Sequence, residues 1–164
     1  MAEHPAPAFL IALEQSGVGL AIRQSIWAYP AANVTHILAL TVFAGAVTVM
    51  DLRMLGAFRE TLPASVIPPA RWAAVAALIV LVSSGLVLFT AEASHVAMNP
   101  IFQIKLVLII IGIANALFVQ RSLSKVLAET PEMTPLPTRF RMSAVLSLSI
   151  WLCVAGLGRF IAYL

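Results

Sequence analysis

Four long, almost charge-free apolar stretches, at about residues 31–50, 72–91, 106–119 and 142–163, restrict this chain more than any other feature. A membrane-spanning helix needs roughly 17–25 apolar residues. The third stretch is short by that measure but extends at its start through Pro100, Ile101, Phe102, Gln103, Ile104 and Lys105. Proline suits the first turn of a helix, so Asn99-Pro100 reads as its opening. Buried strands fail on length, since strands usually run about 5–6 residues. Composition agrees: 61% of the 164 residues are hydrophobic and 10% charged, against about 25% charged in soluble domains. The expected fold class is all-α, an integral membrane four-helix bundle forming one domain, with spans at about 31–53, 71–93, 100–122 and 140–163.

Ahead of the first span, Phe9, Leu10, Leu13, Leu20, Ile22 and Ile26 alternate with Glu14, Gln15, Arg23 and Gln24. Such a segment is too polar to cross a bilayer and suits an amphipathic helix at about 6–28, lying in the membrane interface. Trp27 and Tyr29 fall where aromatic belt residues belong, and Pro30 fits a bend into the first span. The first 22 residues hold Glu3 and Glu14 but no Lys or Arg, so the spans themselves, not a cleavable signal peptide, are expected to direct insertion.

Seven of the ten basic residues flank two connections: Arg53, Arg59 and Arg71 the first, and Arg121, Lys125, Arg139 and Arg141 the third. The positive-inside rule then puts these loops in the cytoplasm and both termini on the periplasmic side of a bacterial inner membrane. The third connection, with Pro131, Pro135 and Pro137, reads as an irregular loop. Because the net charge of +3 is divided between loops, nucleic acid is not an expected partner. The single cysteine, Cys153, lies in an apolar run and is expected to be a small buried hydrophobe.

By this topology His36, near the start of the first span, occupies the periplasmic half of the bundle, with His95, Lys105 and Arg159 at the same end. An ionisable side chain inside a span costs about 2.5–3.5 kcal/mol when charged and commonly marks a site. The His36 face continues through Ala39, Leu40, Phe43 and Val47, a mixture suited either to a porphyrin slot or to ordinary helix packing. His95 and Met98 stand three apart, an imidazole and a thioether of the kind that suit copper, although a solvated loop histidine reads equally well. Lys105 and Arg159 suit either snorkelling to the interface or neutralising acidic groups such as haem propionates. Asp51, Leu52 and Arg53 close the first span, where the two charges are expected to pair locally or with Arg71. Ser83, Ser84 and Gly85, Gly112 with Ala116, and Ser143 with Ser147 read as small residues for close helix approach.

The stretches from Ile22 to Pro30, Thr35-His36, Asp51 to Gly56 and Asn99 to Lys105 resemble an uncharacterised family of small bacterial inner-membrane proteins, across nearly the whole chain. More remotely, an early histidine in the first span and a lysine opening a later one resemble copper-resistance D proteins and HemJ-type protoporphyrinogen oxidases. That likeness implies a role in copper or haem handling, with His36 and Lys105 at the family positions; His95 departs from it in lying at a helix end.

Three functions follow as expectations. The first is a membrane b-type cytochrome: haem b bound by His36, either together with His95 or, if the two differ in depth, by His36 alone, with Lys105 and Arg159 at its propionates. It would carry electrons between a quinone or other membrane redox partner and a periplasmic protein. The second is periplasmic-side copper binding or transport through His36, His95 and Met98. The third is a non-catalytic assembly or interaction subunit, in which the polar residues only fix helix contacts. An oligomer is compatible with each, and no acid–base pair argues for an enzyme.

Overall fold

The computed structural model describes residues 6–129 and 136–160. Glu3 and Pro5, Pro131 and Pro135 of the third connection, and the expected end of the fourth span at Tyr163 lie outside the described residues. The chain forms α1 (Ala8–Glu14), α2 (Gly17–Gln24), α3 (Ala28–Leu55), α4 (Pro63–Ala91), α5 (Ala93–Met98), α6 (Pro100–Glu129) and α7 (Thr138–Phe160). Four of these, α3, α4, α6 and α7, are long and apolar enough to cross a membrane.

Local chemistry sets the ends of the helices. Ser25 Oγ accepts from the Ala28 and Trp27 amides at 3.0 and 3.3 Å, occupying donors at the start of α3 that have no partner within the helix. At the other end Gly56 adopts φ +104°. Its amide donates to Arg53 O and that of Ala57 to Leu52 O, a Schellman closure whose left-handed residue favours glycine. Helix α4 starts at Pro63, eight residues earlier than expected, and runs through Pro68 and Pro69. Proline at the first helical position is favourable; the two inner prolines leave the carbonyls of Ala64 and Ser65 without their usual donors. Asn99 Oδ1 accepts from Ile101 N at 2.9 Å as Pro100 opens α6. That helix continues to Glu129, seven residues past the expected boundary, because Leu123 still finds a core to bury in.

The amphipathic segment forms two helices instead of one. Ser16 breaks it, its hydroxyl accepting from Gly19 N at 3.1 Å to cap α2. Packed at the N-terminal end of the bundle, α1 lies against α5 and α2 against α4. Glu14 ties this corner together. Its carboxylate accepts from the Ser94 amide at 3.0 Å and from the Ser94 hydroxyl, and pairs with Arg23 at 3.1 Å. The Ser94 hydroxyl, then the Ser94 amide, and more weakly Arg23, hold the Glu14 carboxyl below its ordinary value of 4.5. A depressed carboxyl contributes stability that is complete above the unfolded value and disappears as pH falls through the folded one. Spin labels at Phe9 on α1 and Met98 on α5 should therefore report a fixed distance at pH 6 that broadens once pH drops below 4.5. In Glu14→Gln the distance should not respond to pH; a response persisting there would mean another group holds the corner.

Among the long helices, α3 lies along α4 and also against α7, while α7 packs on α6. Helices α4 and α6 approach each other little, bridged by Arg71 to Ser124 at 3.3 Å and by the stacked rings of Phe89 and Phe102 at 5.7 Å, so the bundle is closed on three sides and parted between these bridges along the fourth. Two buried clusters fill it. One gathers Phe43, Val47, Ala74 and Ala77, with Trp151 against them. The other gathers Met54, Ile67, Leu123, Phe140 and Ala144. Phe43 and Trp151 meet edge to face at 4.6 Å. Much apolar surface stays outside, including Ile37 and Leu38 of α3 and Ile110 and Phe118 of α6. Helices apolar all round need an apolar solvent, and a lipid bilayer supplies it. Cys153 belongs to this outer surface: it is exposed, not buried as expected, because in lipid an apolar residue need not point inward.

At Gly112 the side chains of α7 press directly on α6. A Cβ there would stand 2.9 Å from Trp151 Cζ2 and 3.3 Å from Ile150 Cγ2. Overpacking a filled contact costs about 1–3 kcal/mol. Gly112→Val should thus lose about 1–2 kcal/mol in a denaturant titration, the better helix propensity of valine offsetting part of the clash. Wild-type stability in this variant would show that the two helices can separate freely.

Candidate functional site

Two polar places interrupt the apolar interior, one in each half of the bundle. The first is built on His36. It is half-buried, eight residues into α3, or about 12 Å along the axis. Ser84 of the antiparallel α4 lies seven residues before that helix ends, so the two side chains meet at the same depth. His36 Nδ1 and Ser84 Oγ are 2.9 Å apart. Ser84 also bonds Val80 O at 2.7 Å, and a carbonyl can only accept, so the single hydroxyl proton is committed there. The serine oxygen must then accept from His36, which puts the imidazole proton on Nδ1 and leaves a lone pair on Nε2. Gly85 lies against the ring; a Cβ there would be 3.3 Å from His36 Cε1.

Lys105 joins this half from α6. It is partly buried, with Nζ 3.3 Å from where a Cβ of Gly158 on α7 would stand. Its charge is near enough to act on the His36 ring. Arg159, the next residue after Gly158, is exposed near the end of α7. His95 and Met98 are exposed on α5, beyond the end of α4. From Ser84 to the end of α4 is about 10 Å, so His95 lies well above the level of His36. His36, Lys105 and Arg159 thus share one end of the bundle, and His36 takes Ser84 as its Nδ1 partner. Among the described residues, no group of three or more His, Cys, Asp or Glu side chains is arranged to hold a metal ion.

The second place went unrecognised in the sequence. Asp51 is fully buried, and neither carboxylate oxygen has a hydrogen-bond partner. It borders a cavity of about 160 Å³ between α3, α4, α6 and α7. The expected local pairing with Arg53 does not form. Arg53 instead donates to Thr61 O at 2.6 Å, and its Nε is itself unpartnered. Arg71 also borders the cavity but donates to Ser124 Oγ at 3.3 Å. Two further polar residues there satisfy each other: Asn115 Nδ2 donates to Ser143 O at 3.2 Å, and Ser143 Oγ donates to Asn115 Oδ1 at 2.9 Å. Ser147 lies beside Asp51, outside hydrogen-bonding geometry.

A signal for Asp51 was present. Phe43, Val47 and Asp51 follow at four-residue spacing, so the face read from His36 to Val47 leads directly to the only aspartate in the chain. Ser84 was legible too, by counting depth back from the shared end of α3 and α4. Reading it as a packing residue overlooked its hydroxyl.

The sequence profile of a family of unknown function (DUF6644) matches residues 16–164. No curated protein and no solved structure matches the chain.

Proposed function

We propose that this chain, which belongs to the DUF6644 family of unknown function, is a membrane b-type haem-binding protein that serves as an electron-transfer subunit. The observation that carries the proposal is the commitment of His36 Nδ1 to Ser84. Metal-ligating histidines almost always donate their second ring nitrogen to a fixed acceptor, which orients the ring and raises its basicity. His36 is arranged in this way, with Nε2 available to an iron. Gly85 keeps the adjoining wall low, and Lys105 supplies a cation for a propionate in the same half. Haem would contribute reversible one-electron chemistry. The chain would hold it by one imidazole, since His95 stands at a different depth, and Arg159 would serve a second propionate at the rim.

The distant likeness to copper-resistance D and HemJ-type proteins at His36 and Lys105 supports the same reading. The division of basic residues is in keeping with it: in a bacterial inner membrane the positive-inside rule would put the termini and the His36 half on the periplasmic side. In that setting α1 and α2 rest in the interface, and electrons pass between a membrane redox partner and a periplasmic protein.

Purification from haem-replete membranes tests this. The expected result is a Soret band near one haem per chain, lost in His36→Ala. A colourless protein carrying stoichiometric copper would replace the proposal with copper handling through His36, His95 and Met98. A colourless, metal-free protein that co-purifies with another subunit would replace it with an assembly role.

A further inference from the structure

We infer that the cavity at Asp51 is a binding site for the head group of a quinone or its quinol, entered from the lipid through the parting between α4 and α6. The inference stands apart from any cofactor at His36, which lies 15 residues earlier in α3, about 22 Å along its axis.

Three observations carry it. A carboxylate taken wholly out of water without a hydrogen bond is costly, and a native structure that retains one calls for a partner. Asp51 has two such oxygens, both buried beside a cavity. Next, the polar groups left over are few. Asn115 and Ser143 are engaged with each other and Arg71 gives one of its donors to Ser124, which leaves Asp51, Ser147 and the more exposed Gln120 as the oxygen-bearing side chains with capacity to spare. These groups cannot supply the six or more oxygens of a hard cation, but they match a ring substituent that exchanges one or two hydrogen bonds. Finally, the walls are aromatic and aliphatic, with Phe43, Leu78 and Trp151 among them, and about 160 Å³ suits a single ring rather than a whole lipid. Ala116 of α6 is both cavity-lining and exposed, and Val75 of α4 is too, so the parting between these helices gives such a ring a route from the bilayer while its tail stays outside. A carboxylate accepts from the hydroxyl of a quinol, and a carboxylic acid donates to the carbonyl of a quinone, so Asp51 can serve both forms.

Decylubiquinone titrated into the purified full chain, with quenching of Trp151 as the readout, tests the inference. Quenching should be saturable in the wild type and in His36→Ala, and should be lost in Trp151→Phe. Decylubiquinol, titrated in the same way, should bind Asp51→Asn about tenfold or more weakly than the wild type, as expected when its hydroxyl loses a charged acceptor. Ala116→Phe, which obstructs the parting at an exposed position and leaves Asp51 untouched, should abolish saturation, and it decides the matter alone if Asp51→Asn does not fold. Linear quenching of equal slope in all these chains would mean partition into detergent and would overturn the site. So would unchanged quinol affinity in Asp51→Asn or unchanged affinity in Ala116→Phe.

Discussion

Asp51→Leu should make this protein harder to unfold, by about 2–4 kcal/mol. The expectation runs against the usual result of a core substitution, which is destabilising. It follows from the bookkeeping of hydrogen bonds. A buried polar group without a partner costs about 1–3 kcal/mol, and more if charged. Asp51 has two such oxygens and no exposure through which water could relieve them. Leucine removes both, and its added carbons enter a cavity of about 160 Å³ already lined by apolar groups. Asparagine keeps a buried amide with the same lack of partners, so Asp51→Asn should gain less, about 1 kcal/mol. Alanine removes the polar atoms but enlarges the void, which offsets its gain. The expected order is therefore leucine, then asparagine and alanine, then wild type, measured by reversible unfolding in mixed micelles without quinone. Decylubiquinol should narrow the gap by stabilising only the wild type, since a ligand that binds the folded state alone raises its apparent stability. A leucine variant less stable than wild type would show that the carboxylate already has a partner. The cost of keeping Asp51 would then have another explanation than ligand binding.

How far the sequence reaches can be judged from individual residues. The four spans follow from hydropathy because every backbone polar group in lipid must be satisfied within its own helix, so an apolar run of sufficient length has one fold available. Their ends were less legible. Hydropathy placed the start of the second span near residue 71, yet α4 begins at Pro63 and runs through Pro68 and Pro69. The single amphipathic helix divides at Ser16 for a tertiary as well as a local reason: the cap forms, and Glu14 is drawn to Ser94, eighty residues away. Cys153 was misplaced by a rule learned from water, where apolar residues go inside; in a bilayer the outer face accepts them equally well. Asp51 shows the opposite error. Its neighbours Arg53 and Arg71 suggested pairing by proximity, but Arg53 reaches Thr61 and Arg71 reaches Ser124. Which partner a charge chooses depends on the turn after Gly56 and the extent of α6, neither of which hydropathy specifies.

For the His36 half, a graded series of variants should separate a ligand from a packing histidine. His36→Ala removes the proposed ligand, and haem retention should fall below detection. Ser84→Ala leaves the ligand but removes the acceptor at 2.9 Å from Nδ1. The imidazole is then free to rotate and to change tautomer, and retention should weaken about 10–100-fold, the usual penalty for losing such a supporting bond. Ser84→Thr keeps a hydroxyl able to accept from His36 while donating to Val80, so it should stay within a few-fold of wild type, the added methyl at a buried position accounting for the remainder. Gly85→Ala acts by shape. Its Cβ would press on Cε1 at 3.3 Å, so the ring must give by a few tenths of an ångström, shifting the Soret band more than the haem content. The ratio of haem to protein by pyridine haemochrome, with the visible spectrum of each variant, reads out the whole order. A packing histidine predicts a different one: stability would fall in His36→Ala and Ser84→Ala by similar amounts, because each breaks the same bond, and no spectrum would follow the serine hydroxyl. Rescue by threonine but not by alanine is the result that a structural role alone does not produce. Full haem retention in Ser84→Ala would break the argument at its first step, the assignment of the imidazole proton to Nδ1.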